Sequence, residues 1–274
     1  MGNLKIVRVP IPTPTLWPHK TTNCYLIGNE NESLLVDTGY DQEETKIELE
    51  KTLLITGLAK PKSIILTHYH LDHAPGVKQL LHWEPTVYCH PNELEEIGKV
   101  VSPLNTISTL EEGDVYKVDN ETVDILHTPG HTSGHLSLYI PSRKTLIAGD
   151  NIVAEGTTWI GPPDGDMADY LKTLTQFKTL DLVKIGPGHG EWVMKPYEQI
   201  DFVLSRRIQR EEQIKKFLLD YKNLTTEELT KLIYMDSIHP SLFEVARRTT
   251  EAHLIKLIKD GLVLQNGLNF ILKS

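Results

Sequence analysis

The chain has 274 residues, 39% of them hydrophobic and 24% charged, with a formal net charge of −9. That length and mixture describe a globular chain with a large core and room for a small second domain, and exclude a disordered or low-complexity protein. No apolar run is long enough to span a bilayer, no leader-like pattern opens the chain, and Ile6 stands where myristoylation needs Ser or Thr, so a cytoplasmic protein without membrane association is expected.

Leu4–Val9 alternates with period two and predicts a half-buried strand, broken by Pro10, Pro12, Pro14 and Pro18. The proline-rich stretch reads as an edge connection or as a flap in which Trp17 offers an apolar face to substrate. Asn23–Ile27 and Ser33–Asp37 follow as strands around a turn at Gly28 and Asn29. Cys24 and Cys89 are too few and too distant for a disulfide framework or a zinc ribbon and read as buried reduced thiols. Asp37 is either a strand-end turn residue or a carboxylate that accepts a ligand N–H and holds loop amides. Gln42–Gly57 has helical spacing and a terminal glycine.

The run Ser63–Thr67 reads as a short buried strand, and His68, His70, Asp72 and His73 crowd into the positions that follow it. Neutral imidazole and carboxylate are ordinary ligands for zinc, with iron and manganese as competitors, and a dinuclear site needs several of them. His68 and His70 can grip one metal while Asp72 and His73 reach a second. A lone histidine here would read as a helix cap; the cluster reads as a site.

Gly76–Trp83 is expected to be helical and Thr86–Cys89 a strand. Three more apolar runs end in chemistry: Val123–Leu126 leads into His127-Thr128-Pro129-Gly130-His131, Thr145–Ala148 into Gly149-Asp150, and Leu182–Ile185 into Gly186-Pro187-Gly188-His189-Gly190. Four strand ends carrying His or Asp predict loops converging on one edge of a sheet sandwich. His90 and His127 are not counted as ligands. Residues 151–166 are rich in turn formers; Asp164 and Asp166 read as caps of a helix from Met167 to Leu180, with Thr157, Thr158, Trp159 and Tyr170 as substrate-contact candidates.

Beyond His189 a long charged helix runs from Tyr197 to Tyr221, and Thr225 with Glu228 forms a capping box opening a short helix. A second helix covers Glu251–Lys259, with Glu251, His253, Lys256 and Lys259 outward, and a hairpin turns at Asn266-Gly267. This order resembles a small winged helix, dividing the chain into a catalytic domain, 1–204, and a C-terminal domain, 205–274. Residues 1–204 carry 16 basic against 28 acidic side chains and 205–274 carry 12 against 9. A modest basic balance and a wing without a base argue against DNA and for packing against the catalytic domain, walling a cleft or forming a homodimer.

The H-x-H-x-D-H run, the T-P-G-H turn, the G-D after a strand and the final P-G-H-G resemble, in order and spacing, the metallo-β-lactamase fold hydrolases. The resemblance implies an αββα sandwich in which His68, His70 and His131 hold one metal, Asp72, His73 and His189 the other, and Asp150 bridges them. It also implies two Zn2+, with Mn2+ or Fe2+ as alternatives, and support of the ligands by Asp37 and by His135 in Thr132-Ser133-Gly134-His135. A water between two cations becomes a hydroxide nucleophile near neutral pH, and Asp72 is also the expected catalytic carboxylate. The two-part arrangement, with Gly149-Asp150 followed by Gly156-Thr157-Thr158, is similar to the subgroup that includes polyketide thioesterases and a mitochondrial endoribonuclease. The expected activity is hydrolysis of a small ester, thioester or lactone; the alternatives are a single-stranded RNA endonuclease and a DNA-binding regulator acting through the tail.

Overall fold

The computed structural model describes residues 4–14, 19–104, 106–235 and 238–273, so Trp17 and Pro18 lie outside the described residues. Contacts divide the chain into two compact units, one built from residues up to Thr128, Gly134–Gly156 and Leu180–Pro196, the other from Pro129–Ser133, Thr157–Thr179 and residues from Tyr197 onward.

In the first unit, β1 (Lys5–Pro12), β2 (Thr21–Gly28), β3 (Ser33–Val36), β4 (Ser63–Ile65), β5 (Thr86–Cys89) and β6 (Ile107–Thr109) form one sheet in that order. The first three strands are an antiparallel meander and β3 to β6 run parallel, so their crossovers need helical connections. These are α1 (Glu43–Thr56), the 3-10 turns of Pro75–Trp83, and α2 (Leu94–Val100). The second sheet holds β7 (Val115–Val118), β8 (Glu121–His127), β9 (Leu136–Ile140), β10 (Thr145–Gly149) and β11 (Lys184–Pro187), with only β10 and β11 parallel.

Strand alternation splits the core. Tyr25, Ile27, Leu34, Val36 and Ile65 pack against Ile125, Leu138 and Ile147 between the sheets. Cys24, Leu26, Leu35 and Ile64 point the other way, toward Leu49 of α1 and Val77, Leu80 and Trp83. Both cysteines are free and buried.

Two expectations are corrected here. Pro10 and Pro12 do not break β1, because it is an edge strand and two prolines two apart turn their missing N–H groups to the same side. Gly57 does end α1 in the left-handed region at φ 68°, but Gly76–Trp83 winds as 3-10 turns. Its start is pinned where Gly76 N donates to Gly39 O at 2.9 Å.

In the second unit, α3 (Met167–Phe177) is capped by Asp166, whose carboxylate accepts from Ala168 N and Asp169 N, and it stops short of Leu180. Then come α4 (Pro196–Tyr221), β12 (Leu224–Thr225), α5 (Thr226–Tyr234), α6 (Phe243–Lys259), β13 (Val263–Asn266) and β14 (Asn269–Leu272). Thr225 and Glu228 form the complete capping box, a device worth about 1 kcal/mol. Ile214, Leu218, Leu229, Leu254, Leu257, Val263 and Phe270 make this unit's small core. Helix α6 begins well before Glu251, at Phe243; Thr249 and Thr250 lie within it and bond their hydroxyls back to Val245 O and Ala246 O. Among the described residues, no helix is long and apolar enough to cross a membrane.

His253 is fully buried rather than outward, with Nδ1 3.4 Å from Glu211 Oε1 of α4. Burial, only partly offset by Glu211, lowers its pKa to about 4. The unfolded chain therefore binds the proton first, so this histidine's contribution is present above about pH 6.5 and is lost as pH falls toward about 4. Thermal unfolding between these limits should show a loss of at most about 1.4 kcal/mol per pH unit from this group, and His253→Gln should flatten that slope. An unchanged slope would assign the acid sensitivity elsewhere.

Candidate metal centre

Strand ends deliver the site. The ligand loop follows β4, Asp150 follows β10, and His189 follows β11. Asp37, just past β3, adopts the left-handed φ of 57°, a conformation uncommon for a residue with a side chain. The bonds it makes offset that cost: Oδ1 accepts Thr67 N at 2.7 Å, and Oδ2 accepts Thr67 Oγ1 at 2.8 Å and His73 Nδ1 at 2.7 Å.

The same anchoring recurs around the cluster. Thr67 Oγ1 lies 2.9 Å from His68 Nδ1, and His189 Nδ1 donates to the Thr21 carbonyl at 2.9 Å. Carboxylates and carbonyls only accept, so Nδ1 of His73 and His189 carries the proton and Nε2 is the face turned inward. Thr67 spends its own proton on Asp37 and fixes His68 in the same sense.

The inward atoms converge. His73 Nε2 lies 3.2 Å from Asp150 Oδ1 and 3.7 Å from Asp72 Oδ2; His189 Nε2 lies 3.4 and 3.3 Å from the same two oxygens. His68 Nε2 is 3.0 Å from His70 Nδ1. Two nitrogens on one tetrahedral zinc stand about 3.3 Å apart, so the separations fit a shared cation. Potential ligand atoms of His68, His73 and Asp150, and of Asp72, His73 and His189, lie within 4.8 Å of one another. His73 belongs to both groups, and Asp150 of the first lies 3.4 Å from His189 of the second. Asp150 approaches Gly188 so closely that a Cβ there would lie 1.8 Å from Oδ1.

Electrostatics agree with the geometry. Burial disfavours a charged His73, but Asp150, Asp72 and Asp37 outweigh it and raise its pKa well above the usual value. Burial likewise opposes a charged His189, yet Asp150 and Asp72 raise it to about 10. Asp72, pushed up by burial, is drawn down by His73 and His189 to about 2, and the same two imidazoles hold Asp150 well below the carboxylate range. Protons occupy the places that suit cations, and the nitrogen and oxygen donors suit zinc, iron or manganese. The residues fit divalent metal binding.

The predicted residues fall into distinct places. His68, His70, Asp72, His73, Asp150 and His189 come together in the first unit, with Asp37 beneath them. His135 is buried there too, stacked on His68 with centroids 5.2 Å apart and Nδ1 3.0 Å from both Thr128 Oγ1 and Asn151 Nδ2. His131 belongs to the second unit, where its Nδ1 donates to Trp159 O at 2.8 Å. Thr157, Thr158, Trp159 and Tyr170 are in that unit as well, and Tyr170 is fully buried in this structure. The 157–166 segment is held from the tail: Arg207 of α4 donates to Thr158 O, Arg248 of α6 to Pro162 O at 2.9 Å, and Lys259 of α6 to Asp166 at 2.5 Å.

Sequence reading missed three contributors. Glu93, buried after β5, accepts Tyr69 N at 3.0 Å and Gly134 N at 2.9 Å, tying the ligand loop to the turn before His135. Thr22 donates to Asp72 Oδ2 at 2.9 Å, and His19 stacks on His189. Only Glu93 carried a signal, an acid at a strand end like the ligands.

The profile of the Metallo-beta-lactamase superfamily matches residues 17–189. The chain belongs to that superfamily. The Beta-lactamase associated winged helix domain matches residues 225–269. The Beta-lactamase-like protein 2 homolog of Caenorhabditis elegans is 31% identical over 248 residues, covering 88% of this chain and 80% of that protein. The Atrochrysone carboxyl ACP thioesterase dmxR1 of Cryptosporiopsis sp. is 28% identical, covering 94% and 81%. A metallo-beta-lactamase family protein of Thermus thermophilus shares the fold at a TM-score of 0.82 and 23% identity, covering 98% of each chain. TTHA1623, solved in a di-iron-bound form, is 28% identical with a TM-score of 0.55, covering 66% of this chain and 93% of that one. The chain is therefore a hydrolase of the metallo-β-lactamase fold with a winged-helix tail and a divalent-metal site.

Replacing Asp37 by Ala should lower metal affinity about 10- to 100-fold, since it frees His73 Nδ1 and the Thr67 amide together. Competition with a chromogenic chelator measures this directly; unchanged affinity would make Asp37 a turn residue only.

Proposed function

We propose that this hydrolase cleaves small esters, with thioesters as the favoured class, at a dinuclear zinc centre. His68, His70 and His131 would hold one metal and Asp72, His73 and His189 the second, with Asp150 as the ligand available to either. The observation that carries the reading is the convergence of His73 and His189 Nε2 on Asp72 and Asp150, with their Nδ1 atoms anchored behind. The thioesterase among the relatives supports the substrate class, and the relative solved with di-iron supports keeping iron as the competing metal.

Divalent cations bound in such a cluster lower the pKa of water toward neutrality and polarise a carbonyl oxygen. Asp72 is the carboxylate suited to the water. Its side chain is 15% exposed where His73 is sealed, and Thr22 Oγ1 fixes its Oδ2. It would orient the attacking water by accepting its hydrogen bond and relay the water's proton to the alkoxide or thiolate that departs as the acyl C–O or C–S bond breaks. Asp37, Thr67 and the Thr21 carbonyl hold the imidazoles still, so little reorganisation is needed.

The tail supports this reading over polyanion binding. Arg247 pairs with Glu244 and Glu251, Lys256 with Glu211 and Asp260, and Lys259 with Asp166, so the cations of α6 are engaged within their own unit. A small molecule is the proposed partner.

Metal-loaded protein should contain two metal ions per chain by elemental analysis and turn over acyl thioesters. Asp150→Ala should cut that turnover at least about a hundredfold with loss of metal. Cleavage of single-stranded RNA that is abolished by Asp150→Ala, with no acyl turnover, would replace the ester reading.

A further inference from the structure

Beside His189 lies a cavity of 250 Å³ lined by His19, Lys20, Thr21, Glu155, Gly190 and Glu191. Two contacts join it to the ligand cluster. The His19 ring stacks on the His189 ring with centroids 4.8 Å apart, and the Thr21 carbonyl in its wall is the acceptor that orients His189 Nδ1. Anything seated there is next to the reacting centre.

The charges of the wall are uneven in a useful way. Glu191 is neutralised by Arg8 at 2.5 Å, and Arg8 is itself steadied by Asn23 Oδ1 at 3.0 Å and the Gly190 carbonyl at 3.2 Å. Lys20 precedes β2 and Glu155 follows β10; both are exposed, and among the described residues neither has an ion-pair partner within 4.0 Å. The cavity therefore offers one cation and one anion, flanking different strands and not paired with each other. Its volume is below that of sites that enclose a drug-sized ligand, so it suits the end of a molecule.

We propose that this cavity binds a zwitterionic end of the substrate, an amino-acid-like group whose carboxylate meets Lys20 and whose ammonium meets Glu155. The inference rests on the hydrolase reading for the identity of the rest of that molecule. It makes charge at both poles, rather than the length of an acyl chain, the feature selected on this side of the centre.

The test uses the full metal-loaded chain and calorimetric titration with ω-amino acids of increasing length from β-alanine, against butylamine and butyrate. One chain length should bind best, and more tightly than either singly charged control. Lys20→Ala and Glu155→Gln should each weaken it about fivefold, the worth of one exposed ion pair, with metal content unchanged. Equal binding of the amino acid to both variants and to the original protein would mean chelation of the metals alone and would overturn the proposal, as would no preference over the controls. An active thioesterase lacking this binding would refute the cavity's role only; length-dependent binding in a protein that hydrolyses no ester would support that role and refute the hydrolysis reading.

Discussion

Two carboxylates and two imidazoles cannot share a buried space unless something positive neutralises the acids. Asp72, Asp150, His73 and His189 are within 3.2 to 3.7 Å of one another in four pairings, and burial works against every charge among them. Protons do part of that task, as the elevated histidine and depressed aspartate pKa values record. Divalent cations do it better, because they bring more charge and accept the lone pairs that Nδ1 anchoring turns inward. The centre is therefore a place where folding and metal uptake are linked.

That constraint explains the sheet order around it. Parallel β3, β4 and β5 end on one side, and so do β10 and β11, which brings Asp37, the histidine loop, Asp150 and His189 to one edge. Asp37 then acts across strands: by holding the Thr67 amide and the His73 ring, it makes the end of β3 the foundation for the end of β4. Glu93 repeats the device from β5, using both carboxylate oxygens on backbone amides. The positions of these donor side chains are set by partners that stand behind them.

Much of this was legible in the sequence, for a physical reason. Apolar runs ending in His or Asp expose both the strand and its chemistry, and the spacing of His68, His70, Asp72 and His73 concentrates four donors in one loop. The resemblance then assigned roles that spacing left open. Thr22 was not legible, because a hydroxyl at a strand start has no pattern that distinguishes it from any other threonine. His253 was misread because its helix starts at Phe243, and the face it occupies looks toward Glu211 of α4. Prolines in β1 misled for another reason: propensity penalises them without knowing that the strand is an edge.

The segment from Thr157 to Asp166 is gripped by Arg207, Arg248 and Lys259, two of them from α6 and one from α4. His131 leans on the same segment through Trp159. An engineer who transplants that segment from a relative to retune selectivity would leave three cations grasping at oxygens that have moved. The tail and the segment must be exchanged as one inherited piece, because the hold on that backbone comes from α4 and α6 rather than from the segment itself.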